Sequence, residues 1–203
     1  MPLTPGHRRS SGGVAELRDG TRIELRPIRP EDREDLAAGV RRMSPESRYR
    51  RFLAPTDELS DAELDYLTQV DHHDHEAIVA LEPDTGEGLG VARFVRWPND
   101  PEVAEFAIAV ADDWHGRGVG TALLRELTER AREEGVRRFS ALVLSDNRQM
   151  LDMIAELGAL QVKDHQAGTV ELEVELPPAG PVPALLRTLK AAARGELRVR
   201  PRR

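Results

Sequence analysis

The stretch Trp114–Gly120, WHGRGVG, sets three glycines between an apolar run and an apolar-periodic segment. A strand, a glycine loop and a helix in that order can form an anion site. The first N–H groups of a helix lack intrahelical partners, the macrodipole adds partial positive charge, and glycine lets a ligand come close to the backbone. An ordinary glycine-rich turn has the same outline. Two well-known phosphate loops do not fit. A P-loop needs lysine and then Ser or Thr after its last glycine, but Thr121 and Ala122 follow Gly120. A dinucleotide fingerprint counted from Gly116 would end on Thr121, and ADDWH stands between strand and loop, so that pattern fails as well.

Two further stretches carry titratable groups. Glu105 sits inside VAEFAIAV, where a carboxylate is costly unless it is exposed, paired or functional. Asp71–Glu76 reads DHHDHE, three histidines and three acids with the chemistry of metal ligands. Six consecutive residues in one short loop seldom converge on one ion, so no metal site is assigned. The loop reads either as a polar edge to a substrate site or as an ordinary hydrogen-bonded loop. The chain has no cysteine, which excludes disulfides, thiolate nucleophiles and Cys-type zinc sites.

The elements that would position these groups follow from periodicity and caps. TRIELRPI alternates as a strand ending at Pro27. RPEDREDLAAGVRRM has acids in its first turn and arginines in its last, the charge order that suits a helix dipole. Ser44 and Ser60 are expected N-caps of two short helices, the second with Glu63 in a capping box. EAIVAL and LGVARFVRW read as a hairpin across EPDTGEG, and VAEFAIAV as a third strand. A helix over about Gly118 to Glu134 places Val119, Ala122, Leu123, Leu127 and Ala131 on one face. RFSALVL is a strand. NRQMLDMIAEL is a helix that Asn147 can cap and Gly158 closes. ALQVKD and TVELEVEL are the last strands.

AIAVADDWHGRGVGTALLRELTERAREEG resembles the acetyl-CoA loop and following helix of the GNAT superfamily of N-acetyltransferases. The family signature, Gln/Arg-x-x-Gly-x-Gly/Ala, falls on His115, Gly116, Arg117, Gly118, Val119 and Gly120, with His115 departing in the first slot. The resemblance covers about Thr21 to Glu175. It implies an α/β (α+β) GNAT fold: a mixed, mostly antiparallel central sheet flanked by helices, with acetyl-CoA in the splay between two central strands. It implies that amides from Gly116 to Thr121 hold the coenzyme A pyrophosphate, and that Ile108 and Val110 pair with pantetheine. The Ile108 N–H would polarise the thioester carbonyl, an oxyanion-type role, and Asn147 would contact the cofactor. Glu105 becomes the general base that deprotonates the amine. The tyrosine acid of many members falls on Ile154, so that acid is absent.

SPESRYRRF, VDHHDHEAIVAL, AEFAIAV and DNRQMLDMIAELG together resemble the acetyltransferase domain of bacterial protein lysine acetyltransferases of the Pat type. Larger members carry an acyl-CoA-synthetase-like or cyclic-nucleotide-binding region, for which 203 residues leave no room. The resemblance implies an N-acetyltransferase with acetyl-CoA as co-substrate and a primary amine as acceptor. That amine is a protein lysine or a small molecule. A non-catalytic acyl-CoA-binding or partner-docking module is the reading of another class.

Composition frames these expectations. A chain of 203 residues fits one domain with tails: a disordered lead over 1–19, the acetyltransferase domain over 20–176, and a Pro- and Arg-rich tail over 177–203 that could hold a short helix. The net charge of -7 argues against non-specific nucleic-acid binding by the folded part. Only Lys163 and Lys190 among the 29 basic residues are lysine. From Arg187 onward the tail carries seven basic side chains against Glu196 alone, a solvated extension or a docking tail for an acidic partner. No signal peptide is read at the N-terminus, and FAIAVA, the longest apolar run, is too short to cross a bilayer. The expectation is a soluble cytoplasmic protein without membrane or specific nucleic-acid partners, monomeric or homodimeric.

Overall fold

Alternating and β-branched runs form the sheet, and the apolar-periodic segments pack on it. The structure, a computed structural model, describes residues 13–166 and 168–177. It holds eight strands: β1 (Gly13–Glu16), β2 (Arg22–Pro27), β3 (His75–Leu81), β4 (Gly88–Trp97), β5 (Asp100–Val110), β6 (Arg138–Leu144), β7 (Leu160–Gln166) and β8 (Thr169–Glu175). Five α-helices join them: α1 (Arg33–Arg42), α2 (Pro45–Phe52), α3 (Asp61–Thr68), α4 (Val119–Glu133) and α5 (Arg148–Ala155). The strands form one sheet in the order β1-β2-β3-β4-β5-β6-β8-β7. Every neighbouring pair is antiparallel except β5 and β6. That parallel pair needs a crossover, and α4 supplies it.

The expected caps form. Ser44 Oγ accepts from the Ser47 N–H, and Ser60 and Glu63 make a reciprocal capping box. The helix after the glycine loop begins at Val119, with Gly118 at its N-cap. One expectation is corrected. Residues 13–16, placed in a disordered lead, form β1 by pairing with Arg22–Leu25. This short run gains order from the partner strand rather than from its own composition, which is why periodicity did not reveal it. Residues 1–12 and 178–203, with the expected short C-terminal helix, lie outside the described residues.

Period-two alternation splits the sheet into two faces. One packs Ala92, Phe94, Ala104, Phe106, Ile108 and Phe139 against Leu123, Leu127 and Ala131 of α4. The Phe106 and Phe139 rings lie 5.2 Å apart at the centre of this core. The other face carries a smaller cluster, Ile28, Ala77 and Val79 with Leu36 and Val91. It also carries Glu105.

Candidate active site

The parallel pairing of β5 with β6 lasts only three residues: Val103 with Arg138, Ala104 with Phe139, and Glu105 with Ser140. Beyond Glu105, five residues of β5 and four of β6 diverge. On β5 the backbone groups of even-numbered residues face β6, as the Glu102 carbonyl does in accepting from Arg137 N–H; Ala111 N–H instead donates to Leu89 on the β4 side. Phe106, Ile108 and Val110 therefore turn N–H and C=O into the fork where no strand meets them. Glu105 stands at its apex, exposed.

The glycine loop closes the open end of this fork. Gly116 and Gly118 hold φ of 73° and 100°, the left-handed region that glycine adopts without steric cost. The first intrahelical bond of α4 runs from Ala122 N–H to Gly118 C=O. The six N–H groups from Gly116 to Thr121 donate to no acceptor among the described residues. They form a run of unmet donors at the positive end of a 15-residue helix, suited to an anion. A Cβ at Gly120 would meet Met153 Sδ at 3.4 Å and Val110 Cγ2 at 3.6 Å, so a larger side chain would intrude where β5, α4 and α5 converge.

Side chains brace the loop. His115, in the slot where Gln or Arg was expected, donates from Nε2 to the Val110 carbonyl at 2.9 Å. It ties the loop to the end of β5, and it occupies one of the two Val110 groups expected to meet pantetheine. Arg117 does not point at the anion site. It reaches Asp19 at 3.1 Å and Thr21 at 3.1 Å, and stacks 3.9 Å over the Trp114 ring. Its contribution to an anion is its backbone N–H. The same holds for Val119, whose side chain is buried in the core. Asp112 accepts from Ser44 N–H at 2.7 Å and from the Ser47 hydroxyl, joining the turn before the loop to α2. Burial works against its charge, yet these donors hold the Asp112 carboxyl below its ordinary range.

Ile108, Val110, His115, Gly116, Gly120 and Asn147 line one cleft of about 110 Å³, together with α2 residues Ser47, Arg50 and Arg51. From the sequence, SPESRYRRF was a Ser44-capped helix and a Pat-type motif; that its Ser47, Arg50 and Arg51 wall this cleft comes from the packing. Asn147 does cap α5, its Oδ1 accepting from Met150 N–H, which leaves its amide N–H₂ for the cleft. Ile154 is fully buried in the core.

One cation, Arg51, lies near Glu105. Burial lowers the Arg51 guanidinium, and the nearby Glu105 carboxylate opposes that shift. Arg93, on β4, is 5% exposed. It donates from Nη1 to the Leu67 carbonyl at 3.2 Å and to His75 Nε2 at 3.1 Å, while its Nε has no partner among the described residues. Burial and then Arg51 push Arg93 down to about 9, and burial and then Arg93 push His75 down to about 4. His75 is thus a neutral acceptor at pH 7, packed 4.9 Å from the Tyr66 ring.

The DHHDHE loop is structural. Asp71 Oδ1 accepts three backbone N–H groups, from His73, Asp74 and His75, each at 2.9 Å. Glu76, fully buried, accepts from His72 Nδ1 at 2.7 Å and from Arg130 Nε at 3.2 Å. His73 meets Glu134 at 2.5 Å and Asp74 meets Arg96 at 2.7 Å. The loop latches the start of β3 to the end of α4.

Residues 22–160 match the family described as the acetyltransferase (GNAT) domain. The chain belongs to the GNAT acetyltransferase family. It is 40% identical over 171 residues to acetyltransferase Pat of Mycolicibacterium smegmatis, across 83% of this chain and 50% of that one. It is 35% identical over 158 residues to acetyltransferase PA5475 of Pseudomonas aeruginosa, across 77% of this chain and 84% of that one. The GNAT domain of S. lividans PAT superposes with a TM-score of 0.75 at 34% identity, covering 81% of this chain and 97% of that domain. The chain thus spans half the length of the M. smegmatis relative. GNAT acetyltransferases use acetyl-CoA, and the unmet N–H groups of the loop and the free backbone edge of β5 fit its pyrophosphate and pantetheine. Among the described residues no helix is long and apolar enough to cross a membrane.

Proposed function

We propose that this chain transfers the acetyl group of acetyl-CoA to the side-chain amine of a protein lysine, with Glu105 as general base. The observation that carries this reading is the position of Glu105. It is an exposed carboxylate at the residue where β5 leaves β6, beside the free amides that begin with Phe106.

When bound, acetyl-CoA supplies an acetyl thioester. Backbone N–H groups from Gly116 to Thr121 hold its pyrophosphate; the β5 edge at Ile108 and Val110, with the Asn147 amide, aligns the rest. Glu105 takes a proton from the acceptor ammonium, directly or through a water. The freed nitrogen lone pair forms the N–C bond while the C–S bond breaks. The Ile108 N–H, facing the fork, donates to the carbonyl oxygen as negative charge builds on it. The sulfur leaves with its bonding pair; the second proton, shed by the nitrogen as the amide forms, passes through water to the thiolate, because Ile154 provides none.

Replacing Glu105 by Gln keeps the shape and removes the base. Turnover of a lysine peptide at pH 7 should fall about 10²–10⁴-fold while acetyl-CoA still binds. Near-normal turnover in that variant removes Glu105 from the mechanism, and binding without turnover in the unaltered protein favours a non-catalytic module. The 40% identity to Pat and the Pat-type motifs support a protein lysine over a small amine. Thiol release across a panel of proteins, amino acids and polyamines, with mass spectrometry of the acceptor, separates the two.

A further inference from the structure

The sheet face that carries Glu105 continues across β6 and β8. In register, Glu105 stands beside Ser140, Ser140 beside Glu173, and Leu142 beside Glu171. Residues two apart on a strand share a face, so Glu175 lies on this floor as well. The floor is open, with Leu142 49% exposed. Its opposite side is the core, filled by Val170, Leu172 and Val174. The alternation TVELEVE thus places every acid of β8 on the open face.

The charges on this floor are unequally matched. Arg138 and Lys163 both pair with Glu173, at 3.2 and 3.1 Å. Glu171 and Glu175 have no ion partner among the described residues, and Glu105 has Arg51 nearby but no ion pair within 4 Å. A second feature sits at the centre. Ser140 is 5% exposed, and its Oγ has no hydrogen-bond partner among the described residues. A buried hydroxyl left unmet between Glu105 and Glu173 points to a missing partner, since such groups are almost always satisfied.

We infer that the β6–β8 floor docks the basic polypeptide segment that presents the acceptor lysine. This rests on the protein-lysine reading above. The lysine amine would lie at Glu105, with Leu142 under the apolar part of the segment and a second cation over Glu171. Two strand spacings, about 10 Å, take Glu105 to Glu173 on β8, and Glu171 lies two residues further along that strand, about 12 Å away in all, while an extended chain rises about 3.3 Å per residue. An Arg or Lys three or four positions from the acceptor lysine therefore meets Glu171. Charge complementarity favours such a cation and disfavours an acidic neighbour.

The test uses the full chain and two ten-residue peptides with one lysine, differing only in Arg or Gln three positions away. Propylamine is the third acceptor. Unaltered protein should prefer the Arg peptide in kcat/KM by about three- to tenfold at low salt, mainly through KM, and the preference should shrink as salt screens it. Glu171→Lys should abolish or reverse the preference, Glu171→Gln should reduce it, and Asp84→Lys, in the β3–β4 turn, should leave it in place. Equal rates on both peptides, or a preference that survives Glu171→Lys, overturns the docking floor while leaving lysine acetylation standing. Turnover of propylamine with neither peptide acetylated overturns the protein-lysine reading, and the floor with it.

Discussion

Folding stability should depend on pH through His75. Its ring is 9% exposed and accepts from Arg93 at 3.1 Å. Burial, with Arg93 next, takes it from 6.5 to about 4. A histidine whose folded pKa is depressed stabilises the fold while neutral. Between pH 6.5 and 4 the unfolded chain binds the proton and the folded one does not, so stability falls as the pH falls through that window. With each pKa unit at 1.36 kcal/mol, the linkage integral from pH 7.5 to 5 gives a loss of about 2 kcal/mol from this residue. Carboxylates and other histidines titrate too, so the clean measurement is a difference. His75→Gln keeps an oxygen that can accept from Arg93 and removes the titration. Urea unfolding followed by circular dichroism at both pH values should show the unaltered protein losing about 2 kcal/mol more than the variant. A stability difference between the two proteins that is the same at pH 7.5 and pH 5 refutes the argument: His75 would then not be held neutral by its surroundings.

Other predictions concern the loop and the latch. Gly118 holds φ of 100° at the N-cap of α4. Gly118→Ala should cost about 1–2 kcal/mol and weaken acetyl-CoA binding in calorimetry, because relieving the strain turns the amides away from their common centre. Arg130→Met strips Glu76, which is fully buried, of its cation, leaving His72 and the Ala77 N–H as partners. Breaking a buried pair from one side should cost about 3–5 kcal/mol in urea unfolding, and an unchanged midpoint would mean that the latch adds nothing. Glu105→Gln and Glu171→Lys, read as turnover and as peptide preference, complete the set.

Much of the architecture was legible because it rests on local signals. The caps at Ser44 and Ser60, the helix after the glycine loop and the alternation of β8 all follow from neighbours within four residues. The pairing partners are not local. β1 was missed because a four-residue edge strand is ordered by what lies beside it. That α2 walls the cleft, and that Arg51 lies near Glu105, likewise comes from packing and not from local pattern. Arg51, Arg93 and His75 are separated by 18 residues or more in sequence, and only packing brings them together.

The sequence by itself determined what the loop could be. The spacing of three glycines before a periodic helix, without a lysine or a direct strand entry, removed two phosphate loops and left an anion site or a plain turn, because backbone geometry and helix dipoles are set within a few residues; that the anion is the coenzyme A pyrophosphate is what the resemblance to the GNAT loop implies. It also singled out Glu105, since a carboxylate in an apolar strand is conspicuous on composition alone. Only the tertiary structure decided which way these groups point. It turned Arg117 to Asp19, gave His115 to the Val110 carbonyl, ended the β5–β6 pairing at Glu105, and set the acids of β8 beside it. Those outcomes depend on strand register and on contacts across as many as 98 residues of chain, which no local pattern encodes.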